Sequence, residues 1–173
     1  MNSDEKDINL NGENKFILDA SCGGRCFWFD KKQKNTLYLD ERVVPKGSFK
    51  QRPNFEVKPD LVGDFTSLKF KDKSFKLVVW DPPHIKRIGN KSWMSQRYGM
   101  LGEGWEEKIR KGFEECFRVL EDYGVLIFKW SEAEISVKRV LELFHTQPLF
   151  GHTTGRGGHT KWMTFMKIPG DHK

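Results

Sequence analysis

Cysteine is scarce in this sequence: its three copies, Cys22, Cys26 and Cys116, are too few, and odd in number, for a disulfide framework. No second Cys or His pair stands near Cys22 and Cys26 to complete a zinc site, so no metal is expected. Long apolar runs are missing as well. No stretch of about 18 uncharged apolar residues occurs, and Met1 to Asp7 open the chain without the apolar core of a signal peptide. A membrane-bound or secreted class is set aside on these grounds, and a reducing, cytoplasmic setting is expected. The G-x-G-x-x-G pattern of dinucleotide sites is absent too, which argues against a bound pyrophosphate. Neither internal repeats nor low-complexity tracts are present.

What the chain does carry is aromatic weight, 14 Phe and 6 Trp among 173 residues, with hydrophobic residues at 37%. That suffices for one compact domain, and a chain of this size buries roughly two-thirds of the surface it exposes when unfolded. Thirty Lys and Arg against twenty-four Asp and Glu leave a formal charge of +6. The excess favours polyanionic partners, although Lys in such numbers also keeps a small protein in solution.

Residues 1–14 are polar and rich in Asn, Asp and Glu, and are expected to form a flexible segment ahead of a domain spanning 15–169. Apolar runs at Phe16 to Leu18, Thr36 to Leu39 and Phe75 to Trp80 predict strands, each finishing on an acid: Asp19, Asp40 and Asp81. Between the second and third, Pro45, Pro53 and Pro59 predict loop, with a short strand near Phe55 to Val57. Helical spacing of Ile109, Phe113, Cys116, Phe117 and Leu120 predicts a helix from Trp105 to Leu120, with Gly124 as its stop signal. A strand from Val125 to Phe128, a helix from Ile135 to Phe144, a Gly-rich loop at 151–158 and a last strand from Trp162 to Ile168 follow. Short apolar strands alternating with helices indicate an α/β domain whose mainly parallel sheet is covered on both faces and closed by an antiparallel pair.

In such sheets ligands bind beyond the carboxyl ends of the strands. The first strand runs into Asp19-Ala20-Ser21-Cys22-Gly23-Gly24-Arg25, where two glycines permit a tight turn close to a ligand. Asp40, about 20 residues further on, stands where an acid accepts hydrogen bonds from ribose hydroxyls. An ordinary turn and a solvated strand end would read the same way. More specific is Asp81-Pro82-Pro83-His84. Two prolines stiffen the backbone and remove two N–H donors, leaving a corner of acceptors suited to an amino group, with the His84 ring offered for stacking.

With these residues the sequence resembles the class I S-adenosylmethionine-dependent methyltransferases. Within them it is similar to the amino-methyltransferases of DNA and RNA, whose loop reads Asp or Asn, Pro, Pro, then a large aromatic. The resemblance spans residues 16 to about 168 and implies a single Rossmann-like domain: a mostly parallel seven-stranded sheet, an antiparallel C-terminal hairpin and helices on both faces. It implies S-adenosylmethionine as cofactor, with Asp19, Cys22 and Gly23 at its methionine part, Asp40 at its ribose, and Asp64 and Phe65 at its adenine. Asp81, Pro82, Pro83 and His84 become the catalytic tetrad. Two departures stand out: His84 replaces the larger aromatic, and Cys22-Gly23-Gly24-Arg25 replaces the usual Gly-x-Gly spacing.

Lys86, Arg87, Arg97 and Tyr98 fall in a segment, 85–104, punctuated by Gly99, Gly102 and Gly104, and are expected to hold phosphate and an unstacked base as part of a flexible substrate loop. Arg156 and His159 either face the same pocket or belong to a hairpin turn. Trp105 and Ile109 are expected in the core, Lys129 and Trp130 at the pocket edge, and Cys26 and Cys116 in packing. The resulting expectation is N-methylation of a nucleic-acid base, DNA adenine N6 ahead of RNA. The chain has little spare length for a sequence-reading region, so loose specificity, a separate recognition partner or homodimer, or an RNA target all remain open. The alternatives are a non-catalytic nucleic-acid module and methylation of a protein glutamine amide.

Overall fold

The structure, a computed structural model, describes residues 15–86, 93–154 and 157–170. The N-terminal segment 1–14, Arg87 and Arg156 lie outside the described residues. Seven strands, β1 (Ile17–Asp19), β2 (Thr36–Asp40), β3 (Leu61–Val62), β4 (Phe75–Trp80), β5 (Leu120–Ser131), β6 (Phe150–Thr154) and β7 (Thr160–Met166), join three helices, α1 (Trp93–Tyr98), α2 (Trp105–Val119) and α3 (Val137–Leu141). The strands form one sheet in the order β3-β2-β1-β4-β5-β7-β6. The first five are parallel, while β7 runs antiparallel to β5 and β6. The expected seven-stranded Rossmann-like architecture with its antiparallel end is therefore present.

Side-chain alternation sorts the sheet into two faces. On one, Leu18, Val78, Trp80, Leu126, Phe128, Trp130 and Phe165 are all fully buried. Against them α2 lays Ile109, Phe113 and Cys116. The aromatic supply is spent here: Phe113 stacks on Phe144 with centroids 3.8 Å apart, and Trp80 lies 5.1 Å from Phe128. On the other face no helix separates β1 from β2 or β2 from β3 among the described residues. The loop after β1 takes that place, packing Phe27 edge-on to Trp162 at 5.5 Å and Trp28 edge-on to Tyr38 at 5.3 Å.

Several local expectations are corrected. Val57 makes only an isolated bridge to Val44, and the strand lies instead at Leu61–Val62, past Pro59, which has no N–H to give a ladder. Helix α2 stops at Val119, where Leu120 turns extended and starts β5, so Gly124 sits inside a strand. There a Cβ would stand 2.8 Å from the Glu121 carbonyl oxygen. The glycine-rich segment contains β6, with Gly151 opposite Met163; its missing side chain admits the Trp162 carbonyl. Residues 93–98, expected to be loop, form α1. Cys116 is buried as expected, whereas Cys26 is exposed. No helix among the described residues is long and apolar enough to cross a membrane.

Candidate active site

Strand β1 pairs with β2 on one side and β4 on the other, so the crossovers diverge there, the place where open α/β sheets hold ligands. The register sets Asp19 beside Tyr38 and Val79, which brings the ends of all three strands to one rim. Two bonds fasten the turn after β1 to the end of β4: Ala20 N–H donates to the Val79 carbonyl at 2.9 Å, and Asp81 N–H donates to Ser21 Oγ at 3.0 Å. The glycine turn and the Asp81-Pro82-Pro83 corner are thereby neighbours. Both prolines are buried, and among the described residues no peptide bond is cis.

Asp19 is completely buried. Its Oδ2 accepts the Trp28 indole N–H at 2.7 Å and its Oδ1 the Ser21 N–H at 3.3 Å. Burial pushes its carboxyl up to about 7 against those two hydrogen bonds, with the charges of Asp81 and Asp40 adding to the rise. It anchors the floor of the turn. Cys22 is buried beside it, and burial raises its thiol far above the ordinary range, so it is an inert wall and no nucleophile.

Asp40 lies at the end of β2 with all its acceptor capacity in use. Oδ2 accepts Gly23 N–H at 2.8 Å and Arg42 Nη2 at 3.1 Å; Oδ1 accepts Arg42 N–H at 3.0 Å and Arg42 Nε at 2.9 Å. Gly23 holds φ +47°, a left-handed conformation costly for a residue with Cβ, and this aims its N–H at the acid. Gly24 is required by packing, since a Cβ there would come within 2.7 Å of the Phe55 ring.

Asp81 meets Lys129 from β5, whose Nζ donates to Oδ2 at 2.5 Å. Lys129 is flanked by the Phe27 and Trp162 rings at 5.9 and 5.8 Å. The carboxylate thus has a fixed orientation, with one oxygen bound and the other turned elsewhere. His84 is half-buried, its ring edge-on to Trp130 at 6.3 Å, and its buried Nδ1 has no hydrogen-bond partner. Burial lowers its pKa below the usual histidine value, opposed by the Asp81 charge, so the ring is neutral at neutral pH and keeps a lone pair.

The remaining expected residues divide. Phe65 is buried against Trp80 at 5.5 Å, yet it borders the small cavity between the strand ends, together with Asp40, Arg42, Asp81, Pro83 and Tyr98. Asp64 is exposed, and its Oδ1 caps the local turn by accepting Thr66 N–H at 2.8 Å. Lys86 lies 4.9 Å over the Trp105 ring, and its N–H is held by Glu134 at 2.7 Å. Helix α1 brings Tyr98 to this cavity while Arg97 lines a neighbouring concavity, and Gly99 follows at φ +75° so close that a Cβ would meet Pro83 at 2.9 Å. Trp105 and Ile109 are core residues as expected, and so is Trp130, which therefore does not form the pocket edge. Ser21 and Arg42 were not singled out beforehand; only their positions two residues past strand-ending acids could have signalled them.

The cavity at the rim has a volume of about 20 Å³, room for about one water. A nucleoside cofactor needs several hundred. The donor set fits such a group: a bent glycine turn, a row of strand-end acids and a buried ring. Arg42 and Tyr98 line that small space, so a larger group needs its walls to move apart. Among the described residues no cluster of three or more His, Cys, Asp or Glu is arranged to hold a metal ion.

No protein family's sequence pattern matches the chain, and no curated protein sequence matches it. Its backbone is similar to solved structures. The N-methyltransferase NodS from Bradyrhizobium japonicum WM9 superposes with a TM-score of 0.55 at 12% identity, over 92% of this chain and 89% of that one. A TehB-like SAM-dependent methyltransferase from Corynebacterium glutamicum gives 0.52 at 18% identity, over 90% and 81%. A SAM-dependent methyltransferase from Methanosarcina mazei gives 0.50 at 13%, over 90% and 93%. At these identities the likeness is one of fold.

Proposed function

We propose that this chain is an S-adenosylmethionine-dependent methyltransferase acting on an exocyclic amino nitrogen of a nucleic-acid base, with adenine N6 in DNA as the first substrate to test. The observation that carries the reading is the direct joining of the glycine turn to the Asp81-Pro82-Pro83 corner through Ser21 and Ala20. A donor-poor, acceptor-rich corner beside a nucleoside-type turn is what methylation of an amine requires.

The cofactor, when bound, supplies an electrophilic methyl group. Gly23 would hold its amino-acid part and Asp40 its ribose after Arg42 gives way, and Phe65 would border its base. The chain's own work is orientation. The Asp81 oxygen not engaged by Lys129 accepts an N–H of the target amine, directing the nitrogen lone pair along the line of transfer. Lys129 keeps that carboxylate in one rotamer. The amine nitrogen gains a carbon and must lose one proton, and His84, which follows the Asp81-Pro82-Pro83 corner and is neutral at neutral pH, is the group assigned to take it. Pro82 and Pro83 keep the corner rigid and free of competing donors.

The test is incubation with methyl-labelled cofactor and, separately, DNA, RNA and protein. Label is expected in nucleic acid with the wild type and none with Asp81→Ala, whose fold is checked by its melting curve. Label in RNA alone would move the target; incorporation nowhere, or undiminished incorporation by the Asp81 variant, would defeat the proposal.

A further inference from the structure

Beside the rim lies a much larger concavity of about 900 Å³, bounded by the Gly23–Gly24 turn, residues 25–32, the 46–60 loop and Arg97. Seven of its lining residues are basic and two are acidic. Both acids are already committed: Glu56 pairs with Lys46 at 3.6 Å, while Asp60 pairs with Arg25 at 3.1 Å and accepts Tyr38 N–H at 3.2 Å. Lys31, Lys32 and Lys58 are exposed, and among the described residues their ammonium groups meet no carboxylate. Cations gathered around one cleft without counter-charges repel one another, and an anionic occupant removes that repulsion.

The cleft is built, and Arg25 builds it. Held at φ +52°, this residue lies 3.5 Å over the Tyr38 ring and donates to the Lys31 carbonyl at 2.7 Å and the Lys58 carbonyl at 2.8 Å. One side chain therefore fixes the distance between the two walls that carry the lysines. The cleft also adjoins the rim: helix α1 gives Arg97 to the cleft and Tyr98 to the rim cavity, and the Arg97 guanidinium stands 5.6 Å from the half-buried Phe55 ring.

We infer that this cleft is a phosphate-chain site which seats the backbone of a single nucleic-acid strand, so that a neighbouring base reaches the Asp81 corner. Its volume is that of a nucleotide-scale cleft, and spread cations with an adjoining ring are the combination that holds single strands. The backbone site stands on the cleft alone; delivery of a base rests on the methyl-transfer reading above.

The experiment measures anisotropy of a labelled single-stranded oligonucleotide of about 12 nucleotides, within the usual site size of such clefts. It compares the wild type with the triple variant Lys31→Ser, Lys32→Ser, Lys58→Ser. These exposed side chains can be shortened without touching the backbone carbonyls Arg25 uses. At low salt the variant is expected to bind about tenfold or more weaker, with the slope of log K against log salt reduced by about 2. Its cofactor affinity, by calorimetry, stays unchanged. Equal binding by the two proteins overturns the site. So does binding of inorganic tripolyphosphate with none of the strand, or a parallel loss of cofactor affinity, which would hand the cleft to the cofactor. Strand binding that depends on the three lysines, in a protein that transfers no methyl group, upholds the cleft and sinks the transferase reading alone.

Discussion

Asp19 is the side chain whose chemistry departs furthest from that of the free amino acid. Its carboxyl titrates near 7 in the folded chain and near 3.9 when unfolded, so between those values the native state holds the proton more tightly. Stability from this group is complete below about pH 4 and is lost as pH rises through 7; ionising it inside costs on the order of 4 kcal/mol. Asn in its place keeps an acceptor for the Trp28 indole without a charge. Asp19→Asn is expected to melt at higher temperature than the wild type at pH 8 and to show a flatter Tm profile from pH 4 to 7. Identical profiles for the two proteins would show that Asp19 is ionised throughout. Residue identity told in advance that strand-ending acids gather at one rim. It did not tell that they differ so much. Asp19 is sealed under Trp28, Asp40 is clamped by Arg42, and Asp81 is held by Lys129, a partner 48 residues away in sequence for which no local spacing is diagnostic.

At the scale of elements, α2 carries both the clearest sequence signal and the tightest tolerance. Its apolar residues recur at helical spacing, and the helix forms within one residue of the expected bounds. Gly112 in its centre costs about 1 kcal/mol of helix propensity relative to Ala. The compensation is approach: a Cβ there would lie 2.5 Å from Trp80 Cζ2 and 2.7 Å from the Phe65 ring. Gly112→Ala is therefore expected to destabilise by about 1–3 kcal/mol, the cost of overpacking, in chemical denaturation. A gain of stability would mean the helix can shift off β4. The same contrast explains what could be read beforehand. Elements such as α2, β2 and β4 announce themselves because burial writes a helical repeat or a continuous apolar run into the sequence. The segments 20–35 and 43–60 have no repeat. They are shaped by single long-range bonds such as Arg25 to the Lys58 carbonyl, so neither the missing crossover helices nor the basic cleft left a pattern to find.

For the molecule as a whole, the decisive property is that the cavity at its rim is small and is lined by Arg42 and Tyr98. Arg42 occupies the acceptors of Asp40 that the ribose of the proposed cofactor would need, and Tyr98 lines the same cavity. A ligand entering there pays for opening, and its apparent affinity is scaled down by the fraction of molecules already open. Because Asp40, Gly23 and Asp81 are fastened to three adjacent strands, occupancy should stabilise the entire sheet. At a hundredfold excess over Kd, S-adenosylmethionine is expected to contribute about 2.7 kcal/mol, which raises Tm by about 5–10 °C in a protein of this size. Arg42→Ala separates closure from binding. Asp40 keeps the Gly23 N–H and the backbone N–H of residue 42 but loses the guanidinium, so the unliganded variant should melt lower while its affinity for the cofactor, by calorimetry, rises several-fold. Were the affinity to fall instead, Arg42 would be a contact to the cofactor and not the plug that excludes it, and the closed rim would have to open by movement of α1 alone.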